Sequence, residues 1–301
     1  MSNKEVDLPF VYKFIAGAVA GISEILVMYP LDVVKTRMQL QVNKPSATGT
    51  TAVVQYNGVV DCISKIVKNE GFSRLYKGIS SPILMEAPKR ATKFACNDFF
   101  SSYYMKQFQE KKLTQNLSIL SGASAGLVES FVVVPFELVK IRLQDVNSSY
   151  KGPIDVVAKI IRNEGLFAMY NGLEATMWRH GVWNAGYFGV IFQVRNLLPK
   201  PKSKNQSIRN DLIAGTIGGT VGSLLNTPFD VVKSRIQNTK VTDTVKKYNW
   251  SLPSILTIYK EEGFRALYKG FVPKVLRLGP GGGILLVVFT GVMDFFKKMH
   301  Q

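Results

Sequence analysis

Three copies of one charged octapeptide dominate the chemistry open to this chain. Pro30-Leu31-Asp32-Val33-Val34-Lys35-Thr36-Arg37 recurs as Pro135-Phe136-Glu137-Leu138-Val139-Lys140-Ile141-Arg142 and as Pro228-Phe229-Asp230-Val231-Val232-Lys233-Ser234-Arg235. Each copy sets an acid and a lysine three residues apart, on one face of a helix. Each also has a glutamine nine residues after its proline: Gln39, Gln144 and Gln237. Two arginines stand outside these boxes. Nine residues on from Tyr76, Tyr170 and Tyr268 come Met85, Arg179 and Arg277, so two guanidinium groups fall at one level. Each can grip a carboxylate through paired N–H bonds. That chemistry is capture of a small anion with at least two negative groups. Covalent catalysis is not expected: His180 and His300 are far apart in sequence, and with Cys62 and Cys96 they offer neither a nucleophile with its base nor a metal set.

The elements that must position these groups are apolar. Leu212 to Phe229 and the runs 180–194 and 278–293 are free of Asp, Glu, Lys and Arg, whereas Phe14 to Leu31 carries only Glu24 and Leu117 to Phe136 only Glu129. Such stretches approach the roughly 20 residues that cross a bilayer as helix. The 301 residues hold 38 Lys+Arg against 21 Asp+Glu, a formal net charge of +17. A nucleic-acid module is excluded because the basic residues are spread through the spans and form no single polar face. With 46% hydrophobic residues, the chain is not disordered either. Mean hydropathy is only +0.08, low for a lipid-filled bundle, so the spans are expected to surround a wet interior. Glu5 and Asp7 lie where a cleavable transit peptide would avoid acids, and no presequence is expected.

The boxes belong to internal repeats. Upstream of each lies a glycine pair four residues apart, Gly17/Gly21, Gly122/Gly126 and Gly215/Gly219, a spacing that lets membrane helices approach closely. Downstream come Glu70-Gly71 with Tyr76-Lys77-Gly78, Glu164-Gly165 with Tyr170-Asn171-Gly172, and Glu262-Gly263 with Tyr268-Lys269-Gly270. Each repeat therefore predicts a long helix, a polar segment, a short amphipathic helix, a turn and a second long helix. The short helices are expected near Asp61 to Lys68, Asp155 to Arg162 and Ser254 to Glu261. The expected architecture is a single all-α membrane domain over 1–301, of six transmembrane helices in three pseudo-threefold repeats (1–110, 111–205 and 206–301) with both termini on one side. Breaks fall at Lys111-Lys112 and in the stretch 199–204.

Asp32/Lys35, Glu137/Lys140 and Asp230/Lys233, at equivalent points of three helices, can close into a ring of interhelical ion pairs. Intramembrane charges demand such pairing or hydration, and a proline bend is tolerated where a cavity lies beside it. The triple Pro-x-[Asp/Glu]-x-x-Lys-x-Arg box with its Glu-Gly and aromatic-x-Gly companions, over essentially the whole chain, resembles the mitochondrial carrier family. The resemblance implies a multi-pass antiporter of the mitochondrial inner membrane working by alternating access. It further implies that the ring is a matrix gate braced by Gln39, Gln144 and Gln237, with the three short helices on the matrix side. At the other end the family places a second gate; only Asp98 and Arg195 are charged among 98/101, 192/195 and 290/293, so a weak cytoplasmic gate and an unloaded state open to the cytoplasm are expected. The resemblance also implies cardiolipin held at Gly71, Gly78, Gly165, Gly172, Gly263 and Gly270, with Asn171 replacing the usual base, and no other cofactor.

For the central site, the strings Pro82–Ala91, Arg179-His180-Gly181-Val182-Trp183-Asn184 and Arg277-Leu278-Gly279-Pro280 resemble the branch of that family exchanging 2-oxoadipate and 2-oxoglutarate. On that reading Arg179 and Arg277 take two carboxylates, His180 or Asn184 the keto oxygen, and the first repeat's share comes from among Glu86, Lys89, Arg90 and Lys93, with Arg90 and Lys93 the better placed. Other small di- or tricarboxylates (malate, citrate) or a proton or anion leak by way of Glu24 and Glu129 are the alternatives. Both arginines also have a structural alternative, pairing with Glu24, Glu86 or Glu129. A monomer is expected.

Overall fold

The computed structural model describes residues 9–42, 55–110, 112, 114–199, 203–240 and 247–299. Every regular element among them is helical: α1 (Phe10–Leu40), α2 (Val59–Glu70), α3 (Ser80–Gln107), α4 (Gln115–Gln144), α5 (Pro153–Glu164), α6 (Leu173–Leu197), α7 (Lys204–Asn238), α8 (Ser251–Glu262) and α9 (Phe271–Met299). A 3₁₀ turn precedes each second long helix, at Phe72–Tyr76, Leu166–Tyr170 and Phe264–Tyr268. The long-short-long order thus occurs three times. Lys111, Glu5, Asp7, His300 and residues 200–202 of the second expected break lie outside the described residues.

The shortest long helix, α6, has 25 residues, about 37 Å at 1.5 Å per residue, which exceeds a hydrocarbon core of about 30 Å. Val11–Leu40, Ile119–Gln144 and Phe264–Met299 are apolar enough to cross a membrane on composition alone. The other three long helices are diluted by polar residues, and α3 and α6 carry Lys89, Lys93, Arg179 and His180 toward the interior. Leu26 and Val27 of α1, Leu224 and Leu225 of α7, and Leu286 and Val287 of α9 are exposed, giving the bundle the greasy outer face that lipid requires.

The second long helix of each repeat packs most extensively on the first long helix of the next: α3 on α4, α6 on α7, and α9 back on α1. This closes the ring of six. Tyr12 of α1 and Phe296 of α9 meet edge to face, ring centroids 4.9 Å apart, so the first and last described helices end together at the end away from the short helices. Pro30, Pro135 and Pro228, and Pro88 and Pro280, all lie inside continuous helices.

Each short helix is two or three residues longer at its start than expected and buries one stripe. Cys62 and Ile66 of α2 pack with Tyr29, Val33 and Val34 of α1; Val156 and Ile160 of α5 with Leu138 and Leu143 of α4; and Ile258 of α8 with Val231, Val232 and Ile236 of α7. At about 1.5–3 kcal/mol per buried apolar side chain, these contacts anchor the short helices.

One packing expectation is corrected. Gly17 and Gly21 admit a charged pair from α3, since a Cβ on Gly21 would stand 2.1 Å from Glu86 Oε1 and one on Gly17 3.4 Å from Arg90 Nη1. Gly122, Gly126 and Gly215 have open space where a Cβ would be. The close glycine contact in the third repeat instead uses Gly218 and Gly222, whose added Cβ atoms would meet Tyr187 O at 3.1 Å and Trp183 O at 3.0 Å on α6. Spacing alone does not say which glycine face a neighbour covers.

Candidate functional site

The three boxes meet where α1, α4 and α7 converge. Lys140 Nζ donates to Asp32 Oδ2 at 2.9 Å, Lys233 Nζ lies 2.5 Å from Glu137 Oε2, and Lys35 Nζ donates to Asp230 Oδ2 at 3.1 Å. The ring is closed, each pair joining two repeats. Its acids are further engaged by the second long helices. Arg277 pairs with Asp32, Lys274 Nζ donates to Asp230 Oδ2 at 2.6 Å, and Arg179 stands 3.4 Å from Glu137 and 3.8 Å from Asp230. All six ring groups and both arginines line one cavity of about 310 Å³. A second space of about 480 Å³ shares Lys35, Lys89, Arg179 and Asp230 with it and reaches Lys93, His180, Trp183, Asn184 and Lys274.

The cavity is polar and strongly cationic. Above the ring Lys89, Arg90, Lys93, Arg179, Lys274 and Arg277 outnumber Glu24, Glu86 and Glu129. Arg277 uses its other edge on Glu24, whose Oε1 accepts from Nη2 at 2.8 Å and from Nε at 3.1 Å. Both arginines are therefore paired: Arg277 with one of the acids named from sequence, Arg179 with the ring itself. Arg179 Nη2 also lies 2.7 Å from His180 Nε2. A guanidinium can only donate, so Nε2 accepts and a neutral ring carries its proton on Nδ1. Asn184 lines the same wall.

In the first repeat, Arg90 Nε donates to Glu86 Oε1 at 2.6 Å and Lys89 approaches Glu86 at 3.8 Å. The Arg90–Glu86 pair is turned onto Gly17 and Gly21 of α1. Of the basic residues there, Lys89 lines both spaces, Arg90 the lower and Lys93 the upper. Lys89, named from sequence but ranked below Arg90 and Lys93, lines both spaces, and Lys274 is the cationic cavity residue that sequence reasoning missed. Lys274 stands three residues before Arg277, and that helical spacing was its available signal.

The glutamines sit beneath the ring, all buried, but their bonding differs from expectation. Gln39 Oε1 accepts from Ser234 Oγ at 2.7 Å and Gln144 Nε2 donates to Tyr29 Oη at 3.0 Å, while the Gln237 amide makes no hydrogen bond among the described residues. None reaches a ring pair. The ring acids already hold two or three cations each, and the glycine of a neighbouring aromatic-x-Gly motif presses on two of the glutamines: an added Cβ would lie 2.8 Å from Gln237 Cγ at Gly172 and 3.0 Å from Gln39 Cγ at Gly270.

The box arginines find the Glu-Gly motif. Arg37 Nη2 donates to Glu70 at 2.7 Å, Arg142 donates through Nη1 and Nη2 to the two oxygens of Glu164 at 3.0 and 3.1 Å, and Arg235 pairs with Glu262. The residue between Tyr and Gly closes the other side of the repeat boundary. Asn171 Nδ2 donates to Ile236 O at 2.8 Å, Lys269 Nζ to Gln41 O at 2.5 Å and Lys77 Nζ to Ser148 O at 3.4 Å. Asn171 is thus adequate where a base was expected.

Two further expectations are corrected. The N–H groups of Gly71, Gly165 and Gly263 are not free for a lipid phosphate, because they donate to Val67 O, Ile160 O and Tyr259 O and close the short helices. Gly78, Gly172 and Gly270 have positive φ (85°, 81° and 82°) and pack against the next repeat. Asp98 and Arg195 are not brought together either. Arg195 pairs with Asp211 of α7 at 3.0 Å, both exposed, and Asp98 has no ion pair among the described residues. The two lie on α3 and α6.

A closed ion-pair ring under a cationic chamber within three helical repeats is the construction of a membrane carrier. The chain belongs to the mitochondrial carrier family: the model for "Mitochondrial carrier protein" matches residues 6–108, 111–202 and 204–300. It is accordingly a multi-pass mitochondrial membrane protein. It is 66% identical to the mitochondrial 2-oxodicarboxylate carrier 2 of Saccharomyces cerevisiae, over 97% of this chain and 96% of that one. It is 68% identical to the mitochondrial citrate transporter D of Aspergillus niger, over 99% and 98%, and 40% identical to the human mitochondrial 2-oxodicarboxylate carrier, over 95% and 94%.

Proposed function

We propose that this protein exchanges 2-oxodicarboxylates, 2-oxoadipate and 2-oxoglutarate, across the mitochondrial inner membrane by alternating access, and that it catalyses no covalent reaction. The observation that carries the reading is the single cavity lined by Arg179, Arg277 and the whole ion-pair ring. Two guanidinium groups suit two carboxylates, and His180 and Asn184 stand beside Arg179 to receive a keto oxygen. The printed names of relatives that match nearly the full chain support the same cargo.

The geometry suggests how cargo and gate are coupled. Arg277 is held by Asp32, and Arg179 by Glu137 and Asp230. A dicarboxylate competes for those same guanidinium groups. Each one it takes leaves a ring acid with fewer cations, so the three interhelical pairs become easier to separate, and the ring acts as the matrix gate. Without cargo the acids stay fully engaged. Such coupling favours exchange over leak, because the ring opens only for an occupied site. At the other end no pair between Asp98 and Arg195 holds the helices, so the resting state is open to the cytoplasm. Cardiolipin against the short helices and a monomeric carrier complete the proposal.

A tricarboxylate cargo is the second reading, favoured by the cation excess above the ring and by the name of the Aspergillus relative. Reconstitution in liposomes decides between them. Preloaded vesicles that take up labelled 2-oxoglutarate and 2-oxoadipate in exchange, and citrate more slowly, support the first reading. Citrate preferred over both supports the second, and uptake without internal counter-substrate defeats the exchange mechanism.

A further inference from the structure

Six residues before the box proline the three repeats carry Glu24, Glu129 and Gly222. The two acids have different surroundings. Glu24 is held by Arg277 through Nε and Nη2. Glu129, on α4, is only 4% exposed and lines the upper space, yet no hydrogen bond or ion pair of its side chain is found among the described residues. Glu86, the other carboxylate lining the chamber above the ring, is bound by Arg90 at 2.6 Å. Among the acids that line the two spaces, Glu129 is therefore the one that no cation holds in an ion pair among the described residues.

Its surroundings come from every neighbouring helix. Lys89 and Lys93 on α3, Arg179 and His180 on α6, Lys274 on α9, Lys35 on α1 and Asp230 on α7 line the same space, and Glu137 lies two turns further along α4. A buried carboxylate without a bonded partner stays ionised only through the field of such cations. Cargo that engages Arg179, Lys89 and Lys93 removes that support. The carboxylate is then neutralised by a proton from the water on whichever side the chamber faces. By linkage, anion binding and proton binding favour each other. His180 is the weaker candidate, because its Nε2 already accepts from Arg179 at 2.7 Å and an added proton would face that guanidinium.

We propose that Glu129 is a proton-binding group of the transport cycle, taking up one proton when the more highly charged cargo fills the chamber and releasing it on the opposite side. Exchange of a trianion for a dianion then carries one proton with the trianion and moves no net charge. The inference rests on the reading of this chamber as an anion-exchange site, and the experiment separates the two.

Wild-type protein and Glu129→Gln are reconstituted with internal 2-oxoglutarate and a luminal pH dye. Two external cargoes are used: 2-oxoglutarate and sulfosuccinate, a dicarboxylate whose sulfonate stays charged throughout. In the wild type, sulfosuccinate uptake should fall roughly tenfold between about pH 6 and pH 8 and acidify the lumen. In Glu129→Gln it should vary less than about twofold and cause no acidification, while 2-oxoglutarate exchange persists. Glu129→Asp should restore the pH dependence. The proposal is overturned if Glu129→Gln keeps the wild-type pH profile and proton flux. It is also overturned if the wild type exchanges 2-oxoglutarate but takes no sulfosuccinate at either pH, or if a folded Glu129→Gln protein loses 2-oxoglutarate exchange. Failure of wild-type 2-oxoglutarate exchange would instead refute the underlying reading.

Discussion

Arg277 of α9 bonds Glu24 with one part of its guanidinium group and Asp32 with another, so one side chain joins the anion-sized chamber to the ion-pair ring beneath it. The same α1 face thus supplies a ring acid and a partner for the cationic site above it. A cargo carboxylate that takes Arg277 necessarily disturbs the contact with Asp32.

Replacing that side chain should remove function and leave the fold. In Arg277→Ala, Asp32 keeps Lys140, while Glu24 loses the guanidinium that holds it; Glu24 lines the polar chamber, where water can replace that partner, so the thermal midpoint in detergent should move only a few degrees. Loss of a bidentate charge-assisted contact to cargo is worth about 3 kcal/mol, roughly a hundredfold in exchange rate at low substrate. Arg179→Ala should behave alike. Lysine at either position should recover little, because a point charge lacks the planar fork. Uptake retained in Arg277→Ala would place the cargo elsewhere.

The glycine of each aromatic-x-Gly motif should be intolerant for reasons separable by experiment. Gly172 has φ 81°, and an added Cβ would lie 2.8 Å from Gln237 Cγ. Gly172→Ala should therefore cost about 1–2 kcal/mol through backbone strain plus a displacement of Gln237. Gln237→Ala in the same chain should return the second part only. Gly71→Ala, with φ 88° and open space around the site, should show the backbone part alone. Thermal unfolding of the three variants measures both contributions.

Arg235 and Glu262 are both almost fully buried, and Arg235 also donates to Gln39 O at 3.1 Å and Gln41 O at 3.0 Å in the first repeat. Removing Arg235 takes away the shortest partner of the buried Glu262 and leaves it to contacts such as the longer one from Lys269 Nζ at 3.5 Å, so Arg235→Ala should destabilise by about 3 kcal/mol. The exposed Arg195–Asp211 pair is the comparison: Asp211→Ala should stay within about 0.5 kcal/mol. Equal losses in the two variants would mean that burial does not govern these pairs.

The fold was legible because it is written three times. The box, the Glu-Gly and the aromatic-x-Gly motifs recur in fixed order, and each marks a helix kink, a helix end or a helix start. The central arginines were legible from register alone, since counting from Tyr170 and Tyr268 needs no gaps. What escaped was the choice of partner across repeats. The sequence offered Arg277 three acids above the ring but did not say that it takes Glu24 and Asp32 together, or that Gln144 bonds Tyr29 in place of a ring pair, because those choices depend on how the helices rotate about their axes. The partnership of Arg37, Arg142 and Arg235 with Glu70, Glu164 and Glu262 escaped as well, although the threefold co-occurrence of the two motifs carried its signal.

Cys62 gives a test of the short-helix packing outside the spans. Its thiol is buried between α1 and α2 with Tyr29, Val33 and Ile66, and burial pushes its pKa up to about 12 despite the nearby Arg37 charge. The thiolate is the reactive form. With the pKa raised, the thiol is protonated at neutral pH, and the reactive fraction grows about tenfold per pH unit until it approaches that value. In a Cys96→Ser background, maleimide labelling of the folded carrier at about pH 8 should be at least a hundredfold slower than that of the denatured chain. Val33→Ala on α1 leaves the cysteine intact and opens space in its packing, so it should accelerate labelling without changing the reagent's chemistry. Rapid labelling of the wild-type carrier at about pH 8 would mean that α2 leaves α1 during the cycle, and the ring above would then lose one of the three wedges that hold its helices together.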